Sequence, residues 1–173
     1  SSSSRGLGDV YKRQWLNGVT GNQLLDDWWQ SVEDVFNAYK DADPKKRVKW
    51  GGPEMSARSK ITARHMETWA HGQEVFDALG KDREEKDRIK NIVHMGVIAY
   101  GWTFVNRKLA IPEPTPYVIL DSPSGEVWEW NDKESSSKIE GTAVEFAQVV
   151  TQVRNFADLS LIHISEPTRR RTI

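Results

Sequence analysis

Apolar residues recur along the first half of the chain with the period of an α-helix. Between residues 21 and 42 they are spaced three and four positions apart, which predicts an amphipathic helix. A second helix is predicted over residues 56–79, because it begins at a serine that suits an N-cap and is followed by Gly80. A third is predicted over residues 83–109, where a broad apolar face continues until a cluster of three prolines. Three long helices predict a helical bundle.

After the prolines the period changes from that of a helix to that of a β-strand. The segments PYVILD and EVWEWND are rich in β-branched and aromatic residues, and SPSG between them supplies a turn, so they predict a β-hairpin. Trp128 and Trp130 then project from one face of the second strand onto a helix. A shorter last helix is predicted from Thr142, which stands three residues before Glu145 in capping-box spacing, through Val153. The predicted fold class is mainly α, with a small C-terminal β-hairpin and a final helix.

The two ends of the chain show neither the hydrophobic period of an α-helix nor that of a β-strand. Residues 1–14 and 159–173 resemble peptides translated from sequencing adapters, with GDVYKRQ at one end and SLIHISEPTRR at the other. We therefore predict that both ends are non-native and lie outside the fold. The remaining chain is predicted to comprise a helical bundle over residues 15–110 and a hairpin-plus-helix extension over residues 111–158. The alternative for the C-terminal end is a basic tail, in which three consecutive arginines bind anions or act as a targeting signal.

Composition narrows the classes of partner and of chemistry. The 173 residues suffice for one ordinary domain, and 24 Lys plus Arg against 25 Asp plus Glu leave a net charge of -1. This balance argues against nucleic acid or an anionic membrane as a partner. The absence of cysteine excludes disulfides, thiolate ligands and a cysteine nucleophile, so any thiol chemistry needs a thiol from outside the chain. No apolar run approaches the thickness of a bilayer, and we expect a soluble, cytoplasmic protein.

Within the second predicted helix, the stretch METWAHGQ places Glu67 and His71 four residues apart. Residues at that spacing lie about 40° apart around a helix, so both side chains can reach one ion. A catalytic zinc site usually takes three protein ligands, so a third ligand would have to come from elsewhere. The alternative is a solvated polar stripe, because Lys60, Arg64 and Glu74 lie on the same face. The spacing alone leaves both interpretations open.

Two other histidines, His94 and His65, also lie in the predicted helices. His94 shares a helical face with Val97 and Ile98 and is predicted to point inward. There it is either a buried histidine that a backbone carbonyl satisfies, or a residue that supports a metal ligand or lines a cleft. His65 points about 160° away from Glu67 around the helix, so we expect it to pack against apolar neighbours rather than to join a metal site.

The stretch METWAHGQ lies within a longer segment that resembles a known protein family. RVKWGGPEMSARSKITARHMETWAHGQEVFDALG, followed by IVHMGVIAYGWTFVNRKL, resembles the metal-binding domain of the mycothiol-dependent maleylpyruvate isomerase family, a branch of the DinB-like four-helix bundles. The resemblance covers most of residues 15–157. It implies that Glu67 and His71 are two of three metal ligands, and that the third is a histidine on an earlier helix. Because no histidine precedes His65 in this chain, the resemblance also implies an N-terminally truncated fragment, in which the first helix of the bundle is missing.

The resemblance further implies a chemistry for the complete protein. The expected cofactors are a divalent metal, most simply zinc, and mycothiol or another low-molecular-weight thiol that attacks a small electrophilic substrate. Glu67 and His71 would hold the metal, whereas His94, Trp69 and Trp102 are candidates for lining the cofactor cleft. The activity would be that of a thiol-dependent isomerase or transferase. The particular reaction of the family's isomerase is not carried over, because that isomerase also uses residues of an additional C-terminal domain, and the extension here looks different and shorter.

A rival interpretation comes from another class of function. The chain would then be a non-catalytic helical module that binds a partner or a small ligand, with any metal structural or absent. The polar residues around Glu67 and the incomplete ligand set favour it. The substrate, the identity of the metal and the oligomeric state stay open in both interpretations.

Overall fold

A computed structural model describes residues 17–49 and 54–160, together with the backbone of residues 162–165. Within these residues the chain is mainly helical, as predicted. Its α-helices are α1 (Gly21–Tyr39), α2 (Ala57–Ala78), α3 (Lys90–Ile98), α4 (Tyr100–Asn106) and α5 (Ala143–Val150). None of the described helices is long and apolar enough to cross a membrane.

The chain divides into two compact units, Ser1–Ala57 and Arg58–Ile173. The division falls at the first residue of α2, and the predicted division after residue 110 therefore lies within the second unit. The adapter-like residues 1–14 lie outside the described part of the chain.

The first unit contains α1 and a short antiparallel pair of strands, β1 (Arg47–Val48) and β2 (Met55–Ser56). The predicted helix in this region is confirmed, although it ends at Tyr39 rather than at residue 42. It buries none of its side chains: Trp28, Trp29 and Phe36 are all more than half exposed. The apolar period correctly indicated the helix but did not indicate whether its apolar face is covered.

The second predicted helix is confirmed as α2. It begins directly after Ser56 and ends two residues before Gly80, whose φ of +59° is the left-handed conformation that glycine tolerates best. The amide of Gly80 donates to the carbonyl of Asp77, and that of Lys81 donates to the carbonyl of Phe76. These bonds satisfy carbonyl groups that the last turn of the helix leaves without partners.

The prediction of one long third helix is wrong. Residues 81–86 carry no helix, a 3-10 turn covers Asp87–Ile89, and α3 and α4 then meet at Ala99. At Ala99 the ψ angle is -8°, away from the usual helical value, and this interrupts the regular helix although the Ala99 amide still donates to the Met95 carbonyl at 3.0 Å. Residues on the two sides differ in environment. Ile92, Val93 and Val97 of α3 are buried, whereas α4 buries none of its side chains.

The predicted hairpin is confirmed but is part of a larger sheet. The strands β3 (Tyr117–Asp121) and β4 (Val127–Trp130) pair in antiparallel fashion, with Leu120 opposite Trp128. The rings of Trp128 and Trp130 lie edge to face at 6.4 Å, which confirms that they share one face of the strand. The fold-class prediction of a lone hairpin is corrected by two further strands, which give the order β4-β3-β5-β6.

The two additional strands come from segments without a clear strand pattern. The strand β5 (Ser137–Thr142) runs parallel to β3, and β6 (Ile162–Ser165) runs antiparallel to β5. The sequence of β5, SKIEGT, is mostly polar and contains a glycine, both of which weaken a strand signal. The strand β6 lies in the end predicted to be non-native, and the structure pairs its backbone with the sheet edge.

The core of the second unit forms where the sheet meets α2, α3 and α5. Its buried apolar residues are Trp69, Ile89, Ile92, Val93, Val97, Val118, Leu120, Trp128, Ala143, Phe146 and Ala147. The start of α5 agrees with the predicted capping, because the hydroxyl of Thr142 accepts from the amide of Glu145 at 3.2 Å. The helix α2 contributes Trp69 to this core, two residues after Glu67.

Candidate functional site

The helix α2 brings the predicted metal ligands together on its solvent side. Glu67 and His71 stand one turn apart, and the distance between Glu67 Oε2 and His71 Nε2 is 3.5 Å. Their side chains are 56% and 70% exposed, so water or a small molecule can reach both groups. The prediction that these two side chains lie side by side on one helical face is therefore confirmed. Their role as metal ligands stays a prediction.

A second carboxylate contacts the other side of the same imidazole. Glu74 Oε2 lies 3.3 Å from His71 Nδ1, within hydrogen-bond distance. The sequence placed Glu74 on the same face but offered only a solvated stripe as its role. Its position three residues after His71 was the available signal, because side chains at that spacing meet on a helix.

Around Glu67 and His71, the described contacts add one further carboxylate, that of Glu74. Within residues 17–49 and 54–160, no group of three or more histidine, aspartate or glutamate side chains is arranged to hold a metal ion. Glu74 does not complete such a set, because it contacts the ring nitrogen that faces away from Glu67. Any ion between Glu67 and His71 would need further ligands from outside the described groups.

Trp69, a candidate for the cofactor cleft, is instead a core residue with 2% exposure. Its indole N–H donates to Glu85 Oε2 at 2.9 Å, and its carbonyl accepts from Arg83 Nη1 at 2.7 Å. The guanidinium of Arg83 also stacks over the rings of Trp69 and Phe76. These contacts fix the loop after α2 against the helix. Trp69 therefore anchors the helix that carries the candidate ligands, and its ring faces protein rather than a cleft.

The other two cleft candidates lie at exposed positions. His94 is exposed rather than inward-pointing as predicted, and its Nδ1 accepts from Trp130 Nε1 at 3.2 Å. Trp102 of α4 is 62% exposed. His94, Trp69 and Trp102 thus occupy three different environments, and no described contact joins them into one wall.

His65 is partly buried and takes no part in the contacts among Glu67, His71 and Glu74, whereas its packing against apolar neighbours stays a prediction. Partial burial is the main cause that lowers its pKa below the ordinary value of 6.5, and the positive charges of Arg88 and Arg83 add to the effect. All three causes favour the neutral form of the imidazole.

A surface cavity of about 500 Å³ lies elsewhere in the second unit. Its walls come from the segment before β3 and the loop between β4 and β5, and its lining residues are Glu113, Pro114, Thr115, Asn131, Asp132, Glu134, Ser135 and Ser136. None of the predicted site residues is among them. Several of the polar groups are already engaged within the loop, since Ser135 donates to the Thr115 carbonyl and Asn131 to that of Pro116.

Comparison with protein families connects the candidate site with a known domain. Residues 12–76 match the family described as the mycothiol maleylpyruvate isomerase N-terminal domain. The resemblance inferred from the sequence is therefore confirmed for this part of the chain. The matched region includes Glu67, Trp69, His71 and Glu74, whereas His94 and Trp102 lie outside it.

Relatives of similar sequence occur in Mycobacterium tuberculosis. Uncharacterized proteins of strain H37Rv and of strain CDC 1551 are each 35% identical to this chain over 155 residues, which is 90% of the chain. The chain spans about 60% of the length of these relatives. No solved structure matches the chain.

Proposed function

We propose that this chain carries part of a metal site in a DinB-like domain, and that the site uses an external thiol. Glu67 and His71 would hold a divalent cation, zinc in the simplest case. The thiol would be mycothiol or another low-molecular-weight thiol, and the substrate a small electrophile. The observation that carries the proposal is the paired carboxylate and imidazole on an exposed helical face, inside the region that matches the mycothiol maleylpyruvate isomerase N-terminal domain.

The geometry of the pair fits a zinc ion. Zinc binds histidine nitrogen and carboxylate oxygen at about 2.0–2.2 Å in a tetrahedral arrangement, which places neighbouring donor atoms about 3.3–3.6 Å apart. The 3.5 Å between Glu67 Oε2 and His71 Nε2 agrees with that separation. Two ligands from one helix also leave coordination positions for other groups, which is the property that distinguishes catalytic from structural zinc sites.

The composition fits a thiol supplied from outside. A bound divalent cation lowers the pKa of a thiol at its open position, so that the reactive thiolate is present near neutral pH. The chain itself contains no cysteine that could act as the nucleophile or occupy that position. Within this proposal Glu67 and His71 fix the position of the cation, and the exposure of both side chains gives the thiol and the electrophile access. The reaction class would be thiol-dependent isomerisation or group transfer.

The rival proposal is a non-catalytic helical module, and one observation favours it. Glu67, His71 and Glu74 are all more than half exposed, which is typical of ordinary ion pairs on a helix surface. In such a module the polar face of α2 would bind no functional metal.

Zinc content tests the metal part of the proposal. The variants are His71→Ala and Glu67→Ala, and Glu84→Ala is the matched control because that carboxylate is 83% exposed and pairs only with Lys86 among the described contacts. After dialysis against zinc, we expect bound metal in the wild type and in the control, and its loss in the other two variants. Equal zinc content in the wild type and in His71→Ala would end the assignment.

Thiol-dependent turnover separates the enzyme from the module. The wild type would be incubated with mycothiol and a panel of small electrophiles, and consumption of the thiol would be followed. The enzyme proposal expects consumption above background that falls to background in His71→Ala. No consumption above background with any electrophile would favour the module.

A further inference from the structure

His71 is flanked by two carboxylates, one at each ring nitrogen. Glu67 Oε2 lies 3.5 Å from Nε2, and Glu74 Oε2 lies 3.3 Å from Nδ1. Of these, only the contact with Glu74 has the geometry of a hydrogen bond. The two carboxylates are four residues before and three residues after the histidine, so one helical face positions all three side chains.

This asymmetry has a consequence for the tautomer of the ring. A neutral imidazole has a single N–H, and the proton sits on the nitrogen that has the better acceptor. An ionised Glu74 can only accept, so its contact with Nδ1 at 3.3 Å favours the tautomer with the proton on Nδ1. The lone pair of Nε2 then points toward the side on which Glu67 lies.

We propose that Glu74 is a positioning residue that holds His71 as the Nδ1–H tautomer, so that Nε2 stays available to a divalent cation beside Glu67. The inference rests on the proposed function for its purpose, whereas the tautomer itself can be observed without any metal. Histidine ligands in metal sites commonly donate their second ring N–H to a carboxylate, which fixes both the tautomer and the orientation of the ring.

Glu74 acts on His71 rather than as a further ligand. It contacts Nδ1, on the opposite side of the ring from the space between Nε2 and Glu67. Its side chain is 67% exposed, and exposed ion pairs contribute little to stability. Replacing Glu74 is therefore expected to change the state of His71 without unfolding the protein, which separates a positioning role from a structural one.

The first readout is the tautomer of His71 in the metal-free protein, from long-range proton–nitrogen correlation spectra recorded above the titration range of imidazole. His71→Ala identifies the signals of this ring. We expect the Nδ1–H form in the wild type and in the control Glu84→Ala. In Glu74→Ala we expect a shift toward the Nε2–H form, and in Glu74→Gln, which keeps an acceptor oxygen, a smaller shift.

The second readout is zinc affinity, measured by competition with a chromophoric chelator. Loss of an outer carboxylate partner typically lowers metal affinity by about 10–100-fold, and we expect that reduction in Glu74→Ala but not in Glu84→Ala. The same tautomer in the wild type and in Glu74→Ala would overturn the positioning role, whatever the zinc result. A wild type that shows the expected tautomer but binds no zinc would instead overturn the proposed metal site and leave the contact between Glu74 and His71 established.

Discussion

At the scale of single residues, Trp69 links the core to the candidate site. Its ring is buried, its N–H donates to Glu85, and the side chain of Glu85 is only 13% exposed. Trp69→Phe keeps most of the apolar contact but removes the donor, which leaves a largely buried carboxylate with one partner fewer. We predict that this change lowers the free energy of unfolding by about 2 kcal/mol, from the unsatisfied acceptor together with the smaller ring.

Urea unfolding measures this loss, with Trp102→Phe as the control. Trp102 is also a tryptophan on a helix, but it is 62% exposed, so its replacement is expected to change the free energy of unfolding by less than about 0.5 kcal/mol. Similar losses in the two variants would contradict the burial and the hydrogen bond that distinguish Trp69.

The candidate site was only partly predictable from residue types and spacing. Helical geometry is regular enough that a spacing of four residues placed Glu67 beside His71, as the structure confirms. Spacing does not determine which face of a helix is covered, and Trp69, a candidate for lining the cofactor cleft, lies in the core. His94 shows the same difficulty, since the apolar residues around it suggested an inward position and the structure leaves it exposed next to Trp130.

At the scale of the elements, the contact between α3 and α5 depends on a glycine. A methyl group at Gly96 would lie 2.8 Å from Cγ2 of Val150 and 3.0 Å from its Cβ, closer than ordinary packing allows. Val150 is β-branched and stiff, so the helices themselves would have to separate. We predict that Gly96→Ala lowers the free energy of unfolding by about 1–3 kcal/mol despite the better helix propensity of alanine.

Two matched variants test this explanation by urea unfolding. Adding Val150→Ala to Gly96→Ala removes the side chain that clashes, so the double variant should lose less than the sum of the two single changes. For Gly72→Ala in α2 the nearest atoms to the added methyl group are those of the Arg83 guanidinium, at 3.5 Å or more, so this change is expected to be neutral or mildly stabilising. If the loss in free energy of unfolding of the double variant equalled the sum of the two single losses, a clash with Val150 would not explain the effect of Gly96→Ala.

The elements themselves were predictable where one period was long and uninterrupted. The helices α1 and α2 and the strands β3 and β4 follow clear patterns of 3.6 or 2 residues, and the structure contains all four. The interruption at Ala99 has no proline or charged residue to mark it, so the apolar face seemed to continue through it. The strand β5 was missed because it is held by backbone pairing with β3 rather than by an apolar pattern of its own.

At the scale of the whole molecule, the segment after residue 158 makes contacts that the core does not require. The backbone of β6 pairs with the outer edge of β5, and Ser160 donates to the carboxylate of Glu145 at 2.7 Å. Among the residues whose side chains the structure describes, the buried apolar ones all lie between Ala57 and Ala147. The prediction that residues 159–173 are non-native can therefore be tested by removing them.

We predict that a chain ending at residue 158 still unfolds cooperatively, with a free energy of unfolding lower by about 1–3 kcal/mol, because it loses a few edge hydrogen bonds but none of the apolar residues that the structure describes as buried. The uncovered edge of β5 should also promote association at high protein concentration, since an open strand edge can pair with a second chain. Urea unfolding and light scattering measure the two effects. A chain ending at residue 165 is the control, because it keeps β6 and should match the complete chain in both respects. If only the chain ending at residue 158 lost cooperative unfolding, residues 159–165 would be an integral strand of the sheet, and the domain could not end where the sequence pattern places its limit.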